Sequence, residues 1–113
     1  MCQKTSGAPF MAFVRFPANH VIWTTTPDTF FSSDGVQRGF CRSCGTPLTY
    51  RNVHGSSISL TLNSLDDPGS VKPEFSFFNE QKAAWLDELE TLPVLDMDPA
   101  SASGFVNYQR PDS

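Results

Sequence analysis

The sequence predicts a mainly β domain of short antiparallel strands, with one short helix late in the chain. Three observations carry that expectation. Ten residues are phenylalanine and six of them precede Cys41, and aromatic and β-branched side chains suit a pleated, half-buried surface. Short apolar runs recur at close spacing, each bounded by Pro, Gly, Asn or Asp. Ser56–Leu62 alternates polar and apolar with period two, as a strand with one wet face does.

The elements follow in order. Phe10–Phe16 is a strand candidate ended by Pro17 and Asn19, and His20–Thr26 a second, stopped at Pro27-Asp28. Thr29–Ser33 and Val36–Cys41 flank Asp34-Gly35, a strong hairpin-turn signal. Leu48–Asn52 and Ser56–Leu62 give two further strands, separated at Gly55, and Phe75–Asn79 reads as the last. Asn79 can cap a helix in which Trp85, Leu86 and Leu89 share a face, over about Lys82–Leu89 before Leu92-Pro93. Residues 96–113 turn to Asp, Ser, Ala and Pro and read as a tail. The expected core includes Phe10, Phe13, Val21, Trp23, Phe40, Leu48, Leu60, Leu62, Phe77, Trp85 and Leu89.

Composition narrows the partners. The formal charge is -4, with no cluster of lysines and arginines, which disfavours an electrostatic grip on nucleic acid or an anionic membrane. No apolar run approaches the ~20 residues of a spanning helix, and nothing reads as a secretory signal. The expected compartment is therefore the cytoplasm, where thiols stay reduced. Small molecules, metals and proteins remain as partners.

Cys41-Arg42-Ser43-Cys44-Gly45 carries the sharpest chemistry. Two thiolates three residues apart, at the end of a strand entering a tight turn, supply two corners of a zinc tetrahedron with sulfur at ~2.3 Å. Gly45 suits the positive φ of such a turn. The bland alternative is two small buried hydrophobes. Within the chain the remaining ligand candidates are Cys2, His20 and His54, and both histidines read more naturally as exposed polar residues.

Cys2–Phe10, Phe31-Ser32-Ser33, Arg38–Leu48, Ser64–Pro68 and Lys82–Leu86 with Leu92-Pro93 occur in an order and spacing that resembles one family. It is the glutathione-dependent formaldehyde-activating enzyme family, also called centromere protein V-like. The resemblance spans residues 1–95. It implies a β-tent, small antiparallel sheets holding zinc between them, and a carbon–sulfur lyase that joins an aldehyde to a glutathione thiol or releases it. In the family pattern a structural zinc takes an N-terminal Cys-x-Cys and a later Cys-x-x-Cys, matched here by Cys41 and Cys44. A catalytic zinc takes a Cys-His-Cys-x-x-Cys cluster whose last cysteine matches Cys2.

The chain departs from that pattern by starting inside the catalytic motif, so an upstream extension carrying the other cysteines is expected. The resemblance thus implies zinc on Cys2, Cys41 and Cys44, a catalytic place for Cys2, and glutathione or another small thiol with an aldehyde as partners. Impaired turnover is expected for the chain as given, and a homodimer pooling cysteines would complete a site. Lys4 and Arg38 are candidates to meet glutathione carboxylates, or else are solvated. Ser32, Ser33 and Ser64–Asp67 are candidates to orient polar substrate groups, and the alternative for Ser64–Asp67 is a hydrogen-bonded turn. The alternative function is a non-catalytic zinc-binding or protein-interaction module.

Overall fold

A computed structural model describes residues 2–96. A five-residue helix, α1 (Cys2–Ser6), precedes strands β1 (Phe13–Pro17), β2 (Asp28–Ser33), β3 (Val36–Phe40), β4 (Pro47–Asn52) and β5 (Ser57–Thr61). All pairings are antiparallel, and the strands form one sheet in the order β1-β5-β4-β3-β2. The mainly β, antiparallel class is as expected. Among the described residues the strands make a single sheet, where two small ones were expected. No helix among them is long and apolar enough to cross a membrane. The tail beyond Asp96 lies outside the described residues.

Asp34-Gly35 makes the turn between β2 and β3. Gly35 alone adopts a left-handed φ, of 77°, and the register slips between Phe31 and Ser33. A bulge of that kind adds local twist and lets the ladder absorb a turn without two left-handed residues.

The strand expected over His20–Thr26 does not form. Ala18–His20 is a 3-10 turn, Val21 N donates to Ala18 O at 3.3 Å, and the chain then runs irregularly to β2. Strand order explains this. β1 and β2 lie at opposite edges, four strand spacings or roughly 19 Å apart. Residues 18–27 must cross that width, so they cannot run in register with either edge. The first strand likewise begins at Phe13 rather than Phe10.

Two C-terminal expectations also change. Phe75–Asn79 is not a strand, because Phe78 takes a left-handed φ of 55° and the chain turns into Asn79–Gln81. The helix expected over Lys82–Leu89 is a 3-10 segment, Leu86–Thr91, with bonds such as Glu88 N to Trp85 O at 3.0 Å. Short helices need an apolar face packed on something to repay nucleation. Here Trp85 and Leu89 are 49% and 47% exposed. Asp87, Glu88 and Glu90 add like charges along the same turns.

The core is correspondingly small. Ile58 and Leu62 are buried, while Phe13, Val21, Phe40, Leu48 and Leu60 are half-buried. Phe10, Trp23, Phe77, Trp85 and Leu89, all expected inside, are exposed. Each belongs to a segment that the strand order leaves outside the sheet. Among the described residues the most completely buried large side chain is Arg38, and Thr49 and Thr61 are buried as well.

Gly39 shows why glycine follows Arg38 in β3. It stands opposite Thr49, and a Cβ there would lie 2.5 Å from Thr49 Oγ1 and 3.3 Å from Pro27 Cγ. Both neighbours are stiff, one β-branched and one a ring. Gly39→Ala should therefore destabilise the fold by about 1–3 kcal/mol. Adding Thr49→Ala to it should return part of that loss in thermal or denaturant melts. Additive losses from the two substitutions would show that the contact does not limit the fold.

Candidate functional site

The site is built where α1 meets the middle of the sheet. The α1 residues cap themselves. Ser6 Oγ donates to Cys2 O at 2.8 Å and accepts from Ala8 N at 3.1 Å. Gly7, at φ 66°, donates its N–H to Gln3 O at 2.9 Å. This left-handed C-cap favours a residue without a Cβ. Gln3 Nε2 then donates to Pro9 O at 2.9 Å and lies 3.3 Å from Gln81 O, tying α1 to the C-terminal turns. Cys2 is thereby fixed at the start of a short, pinned helix.

Opposite it stands Arg38. The ladder pairs Arg38 with Phe30 on one side and Tyr50 on the other, which puts all three on one face. Arg38 Nε donates to Ser32 Oγ at 2.8 Å, and Nη2 donates to Cys2 Sγ at 3.3 Å. The guanidinium carbon lies 5.0 Å from the centre of the Tyr50 ring, a cation–π geometry. Phe13 packs on Tyr50, and Phe30 on Phe40, with ring centres 5.9 and 6.0 Å apart. Four chain segments thus converge on one cation, and of the two sequence readings of Arg38, solvation is excluded because the side chain is 2% exposed.

A cavity of about 490 Å³ adjoins this cluster. Its wall takes Thr5 from α1, Phe30, Arg38 and Pro47 from the sheet, and Gly45 from the turn that follows Cys41. The helix bearing Cys2 and the Cys41–Cys44 turn therefore bound the same space.

That turn has the conformation expected of it. Gly45 has φ 77°, Gly45 N donates to Cys41 O at 2.7 Å, and Cys41 N donates to Thr46 O at 2.9 Å. Cys44 Sγ lies 3.0 Å from Thr46 Oγ1. Cys41 and Cys44 are half-buried and form no disulfide. A zinc ion needs more than two donors of this kind. Among the described residues no three Cys, His, Asp or Glu side chains converge, and His20 and His54 are both exposed. The described side chains do not form a complete zinc site: Cys41 and Cys44 offer a half-site, and Cys2 faces a guanidinium.

The remaining candidates separate cleanly. Ser32 joins the cluster as the acceptor for Arg38. Ser64 has the turn role, since its Oγ donates to Thr61 O at 2.7 Å and lies 2.8 Å from Thr61 Oγ1. Lys4, Ser33, Asp66 and Asp67 are exposed. Tyr50 was not anticipated in the sequence. Its only signal there is the strand pairing that sets it beside Arg38, and pairing is a non-local property.

These features define a small antiparallel β domain in which a thiol accepts a hydrogen bond from a buried arginine, and that arginine lines a cavity. The family model described as glutathione-dependent formaldehyde-activating enzyme matches residues 1–81. The chain belongs to that family. It matches no curated protein and no solved structure.

The half-site has a measurable consequence. Purified chain should carry less than one zinc per molecule by elemental analysis and lose it readily to a chelator, because each missing ligand weakens retention. One tightly held zinc per chain, abolished by Cys41→Ser, would show that further ligands complete the site. One per two chains would show cysteines pooled in a dimer.

Proposed function

We propose that the chain acts on adducts of glutathione and formaldehyde as a carbon–sulfur lyase, with Cys2 at the reaction centre. The single observation that carries this reading is the placement of Cys2 Sγ. It is held 3.3 Å from a buried guanidinium at the rim of a cavity, within the segment matched by the family. The cytoplasm, where glutathione and reduced thiols coexist, is the compartment that suits this chemistry.

The reaction balances without an oxidant. The glutathione sulfur adds to the formaldehyde carbon, a C–S bond forms, and the carbonyl π pair moves to oxygen. That oxygen takes a proton in place of the one the thiol releases, giving S-hydroxymethylglutathione. The reverse breaks the same bond and returns aldehyde and thiol. Arg38 donates a hydrogen bond to Cys2 Sγ and so holds the sulfur in place. Phe30, Phe40 and Met11 give the cavity beside Arg38 an apolar side. Zinc belongs to the family reading, but the described side chains supply no complete site for it, and no step is routed through it.

Exchange NMR between ¹³C-formaldehyde and its glutathione adduct tests the proposal. The chain should speed interconversion modestly above the uncatalysed rate, and Cys2→Ser should remove most of the acceleration, about tenfold or more. Glutathione that binds without any acceleration would identify a binding module instead. Neither binding nor acceleration would overturn the reading.

A further inference from the structure

We infer that Cys41 and Cys44 form a redox-active dithiol, which a low-molecular-weight disulfide of the glutathione type closes to an intramolecular disulfide. The inference is independent of the lyase reading, which places its chemistry on Cys2.

The turn presets the pair. Gly45 N donates to Cys41 O at 2.7 Å, which closes one helical turn over Cys41–Gly45, and Cys41 N donates to Thr46 O at 2.9 Å. Residues three apart on such a turn share one side, with Cβ atoms about 5–6 Å apart. A disulfide needs about 3.5–4.5 Å there, so closure asks for a movement of roughly 1–2 Å. Cys44 Sγ already lies toward its partner's side of the turn. It is 3.0 Å from the hydroxyl of Thr46, the residue whose carbonyl accepts the Cys41 N–H. The neighbouring chain leaves room for the shift. Arg42, Ser43 and Gly45 are exposed, and the ladder slips between Gly39 and Phe40 just before the pair. A Cβ added at Gly45 would meet nothing within 4 Å.

The third thiol is engaged elsewhere, because Cys2 Sγ accepts from Arg38 Nη2 at 3.3 Å. Among the described residues no three Cys, His, Asp or Glu side chains gather, so Cys2 does not join the pair. In the closing step one thiolate of the pair attacks a sulfur of glutathione disulfide, the S–S bond breaks, and one glutathione thiolate leaves. The second thiolate then attacks the protein sulfur of the mixed disulfide and displaces the other glutathione. Two protein thiols are oxidised and one small disulfide is reduced, and the two protons pass to the released glutathione thiolates. Where the compartment keeps thiols reduced, such a bond is a transient sensor rather than a staple. Closure also withdraws both sulfurs from the zinc half-site, since zinc binds thiolates, so metal and disulfide exclude one another.

The test incubates the full chain in mixtures of glutathione and its disulfide, alkylates the remaining thiols and maps tryptic peptides by mass. Trypsin cuts after Arg38, Arg42 and Arg51, and so separates Cys41 from Cys44. As glutathione disulfide is raised, fragments 39–42 and 43–51 should stay joined while Cys2 is still alkylated, and excess reduced glutathione should part them. In Cys44→Ser, Cys41 should instead stop as the mixed disulfide with glutathione. Should that variant fail to fold, the map of the unaltered chain decides. Cys2 joined to either cysteine, glutathione left on both sulfurs of the pair, or all three cysteines alkylated throughout would overturn the proposal. So would protection from alkylation that a chelator removes and that leaves the fragments unjoined, because it would reveal a complete zinc site.

Discussion

The guanidinium of Arg38 is the constraint on which the described structure depends. Taking a charge out of water costs several kcal/mol even after the surroundings relax. Among the described residues Ile58 and Leu62 are the buried aliphatic side chains, which gives little apolar burial to set against that. The local arrangement offsets the cost directly. Ser32 from β2, Tyr50 from β4 and Cys2 from α1 each contribute one contact to the same cation. None of the three is adjacent in sequence to Arg38 or to another. Satisfying the charge therefore also fixes the relative positions of the helix and three strands.

Close approach around this centre explains the small residues beside it. Gly39 lets Thr49 and Pro27 crowd the far face of β3, while Gly7 and Gly45 take left-handed conformations where the chain turns sharply after α1 and after Cys44. The first brings strands together, and the other two aim α1 and the Cys41–Cys44 turn. The register slip between Gly39 and Phe40 adjoins the same turn, so the end of β3 that delivers Cys41 is irregular. Irregular backbone at the end of a rigid strand is where reactive side chains are commonly presented.

The sheet's connectivity decides much of the rest. Because β1 and β2 occupy opposite edges, the intervening segment is spent on crossing the sheet rather than on extending it. That single fact turns a β-branched run, Val21–Thr26, into a connection and leaves Ile22 92% exposed. The aromatic run at Phe75–Phe78 and the apolar side of Leu86–Thr91 stay outside the sheet in the same way. Phe75 and Phe77 pack edge to face on one another, with centres 5.4 Å apart, rather than on the sheet.

Local pattern in the sequence determined the antiparallel β class, the hairpin at Asp34-Gly35, the turn at Gly45 and the positions of β2 to β5 within a residue or two. Each of these rests on neighbours a few positions apart: period-two alternation, turn chemistry, and glycine's access to positive φ. The motif residues were legible too, since Cys2–Phe10 and Arg38–Leu48, on which the resemblance was read, lie within the matched residues 1–81. Strand order and burial were decided only by the tertiary structure. Arg38 on a surface strand and Arg38 inside a sheet face read identically along the chain, and only its pairing with Phe30, Tyr50 and distant Cys2 separates them. Whether Trp23, Phe77, Trp85 and Leu89 are core depends likewise on what lies across from them. Side-chain burial is a property of non-local neighbours, and no local period encodes it.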